Sequence, residues 1–547
     1  MGTATNIDAT AVNTIRWLSA AHTTIVVPVY QRQYRWDIGA CEQLLTDIRA
    51  VADSSERHMH FIGSILSSAS IEPFESTESV TSELVLIDGQ QRITTLMLLV
   101  AALHHSVLHD PVLAADPSLA ADLEKVLVSE SDPTRTKLRP HHAWARKFES
   151  VVLDRRVADI DLRDSRFDDN YAFFRSQVPA AEVMRIWTGL QRLEHVAITL
   201  GADANAQQIF ESLNSTGEPL RDHELIHNYV LMGLSHAEQS EIEDSFWVPI
   251  EQNTGESIAG FWQHYLIMTT GREVDSTSGR GVYDAFRHSF PRLDLESLRE
   301  HAAEWREYSE IYRILLEPAR EADREIARQL GYINTFGRGM YPLVMRAYRD
   351  HSRGTMHANA LIETLEQVQS LLLRRTIVGL DNDRLVGRLC RAGESRADTL
   401  ARAITRITPS DARVRVALKY GDLPHTAYIL GRLAGIDGAL ELDVEHIFPL
   451  APADSWSGDG SRAWADYTDD EQNSHRALAE TLGNLTLLES PLAERALDES
   501  FPEKRALYAE STIPATRELA CIPAWGTAGI GDRTAQLSID FLAIWAR

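Results

Sequence analysis

The sequence predicts an α+β multidomain protein. It reads as an N-terminal α/β domain over residues 1–225, a largely helical middle over 226–434 and a small C-terminal domain over 435–547. Three observations predict this. Short β-branched, apolar stretches bounded by turn-rich segments crowd the first hundred residues. From about residue 109, apolar residues recur at three- and four-residue spacing, as in "LIETLEQVQSLLLRRTIVGL" and "ALKYGDLPHTAYILGRLAGI". Near residue 440 the texture changes again, to the strand-like "GALELDVEHIFPL". The chain's 547 residues, at about 100–200 per domain, also give roughly three domains.

Each element follows from its residues. "HTTIVVPVYQRQYRW" (22–36) begins as a strand, and Pro28 suits its edge or end. "FIGSILSS" (61–68) and "SELVLI" (82–87) read as two further strands, with the polar "SASIEPFESTES" as their hairpin loop. A helix follows over 91–108, and a short strand is expected at "HVAITL" (195–200). In the C-terminal domain "SWSGDGSRAWADYTDDEQNS" reads as a polar, flexible insert before a helix-rich close.

The formal charge of −25, from 54 Lys+Arg against 79 Asp+Glu, argues against a protein that coats nucleic acid. A local basic groove for DNA remains compatible with it. The three cysteines, Cys41, Cys390 and Cys521, are far apart and form no CxxC pair. That argues against a disulfide framework or zinc knuckle and for a reducing, cytoplasmic setting. No stretch reads as a signal peptide or a membrane span.

The first chemical motif is Asp88-Gly89-Gln90-Gln91-Arg92, at the seam between a strand and a helix. Backbone N–H groups at a helix start favour anions, and Gly89 lets a ligand approach the backbone. Arg92 can pair with phosphate oxygens. Asp88 can hold a metal ion or orient a water, and Gln90 and Gln91 can position a water or read a base edge. A plain corner is the competing reading, because Asp88 with Gln91 has capping-box spacing. The second motif alternates aromatic or amide groups with cations: Tyr30, Gln31, Arg32, Gln33, Tyr34, Arg35 and Trp36. Arginines neutralise phosphates, aromatics stack on bases and glutamines read base edges. Val27, Pro28 and Tyr30 could line a small apolar pocket suited to a phosphorothioate sulfur. The competing reading is an edge strand with a solvated cationic face. The basic run "TRTKLRPHHAWARK" (134–147) could add phosphate contacts or be plain surface.

The third motif is "LDVEHIFPL" (442–450) with "LGNLTLL" (482–488). A histidine at a strand end, His446, can deprotonate water near neutral pH. Asp443 and Glu445 are hard oxygen ligands suited to Mg²⁺ or Mn²⁺. The Asn484 amide can either fix the loop that holds His446 or bind near the metal. A core histidine is the competing reading for His446.

Together these motifs resemble modification-dependent (type IV) restriction proteins of the GmrSD/SspE kind. "VPVYQRQYRW", "LIDGQQRITTLMLL" and "QIFESLNSTGEPLRDHELIHNYVL" stand in the order of that family's ParB/sulfiredoxin-like N-terminal domain, over roughly residues 10–230. The resemblance implies hydrolysis of a nucleoside triphosphate, GTP by family habit, at Asp88, Gly89, Gln90, Gln91 and Arg92. Phe210, Leu213, Asn214, Gly217 and Leu220 match a second family block. Asn214 could face the same pocket or simply form a turn before a helix. "Glu445-His446-Ile-x-Pro449", the "GNLTLL" block and "Phe501-x-x-Lys504-x-x-x-Tyr508" resemble an HNH (ββα-metal) nuclease domain. That implies His446 as general base, Glu445 as metal ligand and Asn484 as the central Asn. The chain departs from the pattern at Ala493, which coordinates nothing, so Asp498, or less readily Glu494, is left to supply the last ligand.

The expectation is a bacterial restriction endonuclease that senses a DNA mark, hydrolyses a nucleoside triphosphate and cuts double-stranded DNA in anti-phage defence. A backbone phosphorothioate is the first choice of mark; hydroxymethylcytosine, plain or glucosylated, is the second. Self-association is left open. Two other classes stay open: a non-cleaving ParB-like DNA-binding regulator, and a toxin-like nuclease that ignores marks.

Overall fold

Buried apolar side chains gather into several clusters, among them one around Leu96 and others around Phe448 and Trp545. A computed structural model describes residues 7–547 except 22, 32–33, 55–58, 70–81, 116, 141, 156–165, 202–208, 210–219, 292, 396 and 437–440. The chain divides into one unit of Met1–Pro249 with Phe290–Glu304, and another of Ile250–Ser289 with Trp305–Arg547. The helical middle and the C-terminal segment thus fall largely within one unit.

The first unit is built on a six-stranded mixed sheet in the order β1-β6-β3-β4-β2-β5. The strands are β1 (Ile7–Asn13), β2 (Thr23–Val26), β3 (His60–Ala69), β4 (Ser82–Asp88), β5 (Leu138–Arg139) and β6 (Leu193–Leu200). β3 and β4 pair antiparallel, as a hairpin requires, and the residues that join them lie outside the described ones. Two strands carry no sequence signal. β1 is an edge strand, exposed over most of its length, so it needs no apolar alternation. β5 has only two residues. It falls inside the basic run, whose Lys137 is buried and donates to the carbonyls of Ala20 and Lys125. Burial pulls the Lys137 pKa down. That cation therefore supports the fold rather than a phosphate contact.

Helix α1 (Ile38–Asp53) starts at Asp37, whose side chain accepts from the Ala40 amide as an N-cap. Helix α2 (Gln90–His109) is buried at every residue from Ile93 to Leu103. A helix apolar all round must be enclosed, and α2 packs against helices α3 (Pro117–Leu127) and α4 (Phe167–Gln177). Each fully buried Leu, Ile or Met contributes about 1.5–3 kcal/mol relative to an exposed one. Helix α5 (Asp222–Leu231) follows in the same unit.

The second unit is mostly helical, with one antiparallel pair, β7 (Leu442–His446) and β8 (Leu485–Glu489). Helices α6 (Ala358–Ile377), α7 (Ser490–Ala496), α8 (Phe501–Glu510) and α9 (Thr527–Ile544) belong to it. Arg374 on α6 is fully buried and donates to the Trp545 carbonyl at 2.8 Å, which pins the chain's last residues. The expected flexible insert is instead ordered. Trp456 and Trp464 are buried at 1% and 3% exposure in the core around Phe448, and Thr468 and Glu471 form a capping box on a short helix. Polar composition concealed two tryptophans that anchor the segment.

Candidate functional site

In the first unit, the Asp-Gly-Gln-Gln-Arg corner joins β4 to α2. Gly89 has φ +100°, and a Cβ there would press on Ile65 at 3.1 Å, so the turn needs glycine. The polar side chains turn inward. Gln91 is buried, and its Oε1 accepts from the Arg35 amide at 2.8 Å and the Trp36 amide at 3.3 Å. Arg92 donates to the Ile62 carbonyl at 2.8 Å and pairs with Asp88 at 3.4 Å. Gly63, at φ +98°, sits where β3 bulges, and a Cβ there would collide with the Arg92 guanidinium. Gln31 reaches the Ile87 carbonyl at 2.5 Å. The corner therefore welds β3, β4 and the Tyr-Arg-Trp segment together. Gln90 is also buried.

The Tyr-Arg-Trp segment divides into interior and surface. Val27, Pro28 and Tyr30 are buried, and Val27 belongs to the main core. Burial pushes the Tyr30 phenol well above its usual pKa, so it stays protonated. The three residues follow the end of β2 at Val26, and their side chains are buried. Tyr34 hydrogen-bonds Thr95 and Asn170 and stacks on Phe167. Arg35 is half exposed and lies 3.2 Å from Glu224 of α5. Arg32, Gln33, Phe210, Leu213, Asn214 and Gly217 lie outside the described residues.

Beside this corner lies a pocket of about 350 Å³. Trp36 and Phe61 flank it, Leu44, Ile62 and Leu96 give it an apolar lining, and Gln43, Asp47, His60 and Arg92 supply its polar groups. Asp47 accepts from Gln43 at 2.9 Å and lies 3.8 Å from His60. Sequence reading singled out only Trp36 and Arg92 of these. A glycine two residues after an exposed phenylalanine, at a strand bulge, was the available signal.

In the second unit, His446 ends β7 and stays 24% exposed, with Nε2 3.2 Å from Glu480. The motif side chains that hold its strand and loop, Glu445, Asn484, Lys504 and Tyr508, are buried. Asn484 accepts from the Phe448 amide and the Trp525 indole, and donates to the Phe448 and Ala479 carbonyls. Of the two roles open to this amide, the one seen is fixing the loop after His446. Glu445 is buried, and its Oε1 accepts from Lys504 at 2.7 Å and from Tyr508 at 3.0 Å. Lys504 also donates to the His446 carbonyl at 2.7 Å. Lys504 and Tyr508 are one turn apart on α8, which explains their spacing in the sequence. Burial lowers the Lys504 pKa, and Glu445, foremost among the nearby carboxylates, opposes that shift.

Glu445, Asp443 and Asp498 do not form a metal cage. The Glu445 charge is already met by Lys504, Asp443 and Asp498 are exposed, and no group of three His, Cys, Asp or Glu among the described residues is placed to hold an ion. The carboxylate that does approach His446 is Glu480, which sequence reading missed. Only its place four residues before Asn484 hinted at it.

Comparison with known families gives two matches. The model for the GmrSD restriction endonuclease N-terminal domain matches residues 15–231, and that for the GmrSD C-terminal domain matches residues 395–538. No curated protein matches the chain. Among the described residues, no helix is long and apolar enough to cross a membrane.

Proposed function

The chain belongs to the GmrSD-type modification-dependent restriction endonucleases, and from that premise we propose that it cuts marked DNA at an HNH-like site centred on His446. The observation that carries this reading is the contrast at β7. One imidazole is left partly exposed, while Asn484, Glu445, Lys504 and Tyr508 around it are buried and hold its strand and loop in place. Such a histidine can take a proton from water that attacks a phosphodiester. Mg²⁺ or Mn²⁺ is the proposed cofactor, with Glu480 the accessible carboxylate nearest His446.

The Asp-Gly-Gln-Gln-Arg corner is the proposed site of GTP or other nucleoside triphosphate hydrolysis, by resemblance to the family. A ParB-like first domain and an HNH-type second domain are proposed on the same ground. Val27, Pro28 and Tyr30 are buried, and a phosphorothioate stays a proposed mark beside a modified base. The aromatic pocket beside Trp36 favours a base mark, hydroxymethylcytosine or its glucosylated form.

The test is plasmid cleavage with Mg²⁺, Mn²⁺ or chelator, on unmodified, phosphorothioated and hydroxymethylated DNA, with and without GTP. Cleavage of hydroxymethylated DNA that His446→Ala abolishes is the expected result. Binding without cleavage under every condition would leave a non-cleaving DNA-binding regulator instead, and cutting that ignores the mark would leave the toxin-like nuclease.

A further inference from the structure

The pocket at the β3 bulge has no assigned ligand. It lies within the first unit and is bounded by α1, β3 and α2. Its volume of about 350 Å³ is at the lower end of the range for small-molecule sites, roughly 300–1,000 Å³. Three features define what fits. First, two aromatic residues, Trp36 and Phe61, line it, and Phe61 is 58% exposed. A phenylalanine that exposed presents most of its ring to solvent. Second, the polar groups suit a base edge: the Asp47 carboxylate accepts hydrogen bonds, and Arg92 and Gln43 can donate them. A carboxylate is the group that takes an exocyclic amino group such as that of cytosine. Third, Met59 and Ile38, next to His60 and two residues after Trp36, are also exposed, at 44% and 49%. Exposed apolar side chains of this kind act as wedges between stacked base pairs.

We infer that this pocket receives a nucleobase of the cytosine type turned out of the DNA duplex, stacked against Trp36 and Phe61 with its amino edge on Asp47. The inference rests on the reading of the chain as an enzyme of marked DNA. It assigns the recognition of the mark to residues outside both the Asp-Gly-Gln-Gln-Arg corner and the His446 site, Arg92 excepted. The pocket's apolar lining leaves room for a small substituent on the ring. The same ring chemistry could come from a free nucleoside triphosphate, but a free nucleotide has no use for the exposed wedge.

The experiment uses the full chain and a duplex carrying one hydroxymethylcytosine beside 2-aminopurine, whose fluorescence rises when its neighbour leaves the stack. Wild type, Trp36→Ala and Phe61→Ala are titrated with this duplex, with its unmodified counterpart and with GTP. Phe61→Ala is the safer variant, because its ring is mostly in solvent and its loss should leave the melting curve unchanged. The expected result is a fluorescence rise with wild type and about a tenfold or greater loss of affinity for the modified duplex in both variants, in line with base–aromatic stacking. GTP binding should be unchanged.

Wild-type affinity in both variants, or no fluorescence rise on binding, overturns the inference. So does a loss of GTP binding with duplex binding intact, which would give the pocket to the nucleotide. Cleavage measured in parallel separates the two readings. Mark-dependent cleavage that persists unchanged in both variants overturns the pocket and leaves the endonuclease standing. A fluorescence rise lost in both variants, with no cleavage by wild type, supports the pocket and sinks the endonuclease.

Discussion

The Asp-Gly-Gln-Gln-Arg corner and the His446 site solve the same problem in opposite ways. In the first unit, motif side chains point inward and leave a cavity beside them: Gln91 holds the Arg35 and Trp36 amides, and Arg92 holds the Ile62 carbonyl. In the second unit, buried motif side chains surround a single group and leave it at the surface: Asn484 and Lys504 hold the loop and carbonyl of His446. Most residues of either motif therefore position others. A polar side chain is chosen at such places because a buried backbone N–H or C=O left unpaired costs about 1–3 kcal/mol.

The sharpest way to break the comparison is to remove the one exposed group. His446→Ala should lower cleavage by about a hundredfold to ten-thousandfold, the range for loss of a general base. The melting temperature should hardly move, since the ring is partly exposed and buries little. If stability falls and cleavage persists, His446 is a core residue and the contrast fails.

Next comes the buried pair behind it. Lys504→Met removes the cation from the buried Glu445 charge and leaves it only the Tyr508 hydroxyl, which should cost about 3–5 kcal/mol in denaturant unfolding of the second unit. Adding Glu445→Gln should restore most of that, because a neutral amide with Tyr508 beside it no longer needs a cation. A double variant as unstable as the single one would show that Lys504 acts mainly through the His446 carbonyl.

How much of this was legible follows from which forces leave a local trace. β2, β3, β4 and the helix after them could be read because apolar strand residues and a glycine turn lie next to one another in the chain. His446 and Asn484 could be read as a pair because both fall in short, distinctive blocks. The Lys504–Glu445 contact spans 59 positions. It could be quoted as a pattern but given no role, because a helix spacing shows which residues share a face and not what the face meets. Val27 and Tyr30 could not be placed for the same reason. An apolar run beside arginines fits a surface pocket as well as it fits a core, and only the packing of α2 and its neighbours decides. Glu480, Phe61 and Asp47 are ordinary residues in unremarkable sequence, brought to their sites by tertiary structure alone.

A smaller effect probes the first unit alone. Gln91→Ala removes the acceptor of two amides at once and should cost about 1–2 kcal/mol. Its signature is local: amide exchange should speed up at residues 34–36 and the pocket beside Trp36 should lose affinity for the modified duplex, with exchange around His446 unchanged. A uniform rise in exchange across both units would instead mean that Gln91 is simply part of the global core.

The smallest effect compares the units through acid. Burial lowers the histidine pKa to about 4 at His105, His195 and His223 in the first unit, and at His264 in the second. A histidine whose folded pKa lies below its unfolded value of about 6.5 is held neutral by the fold. Its contribution to stability is complete above pH 6.5 and is lost as pH falls through about 4, because the unfolded chain takes up the proton first. With more such groups, the first unit should lose protection ahead of the second between pH 6.5 and 4, as read by segment-resolved hydrogen exchange. His195→Phe should flatten that slope, since a neutral ring of similar size keeps the edge contact with Trp17 and carries nothing to protonate. It also forfeits the bond to Thr14, so its stability at pH 7 should fall even as the acid limb becomes shallower. An unchanged slope would place the acid sensitivity in the carboxylate pairs of the surface instead.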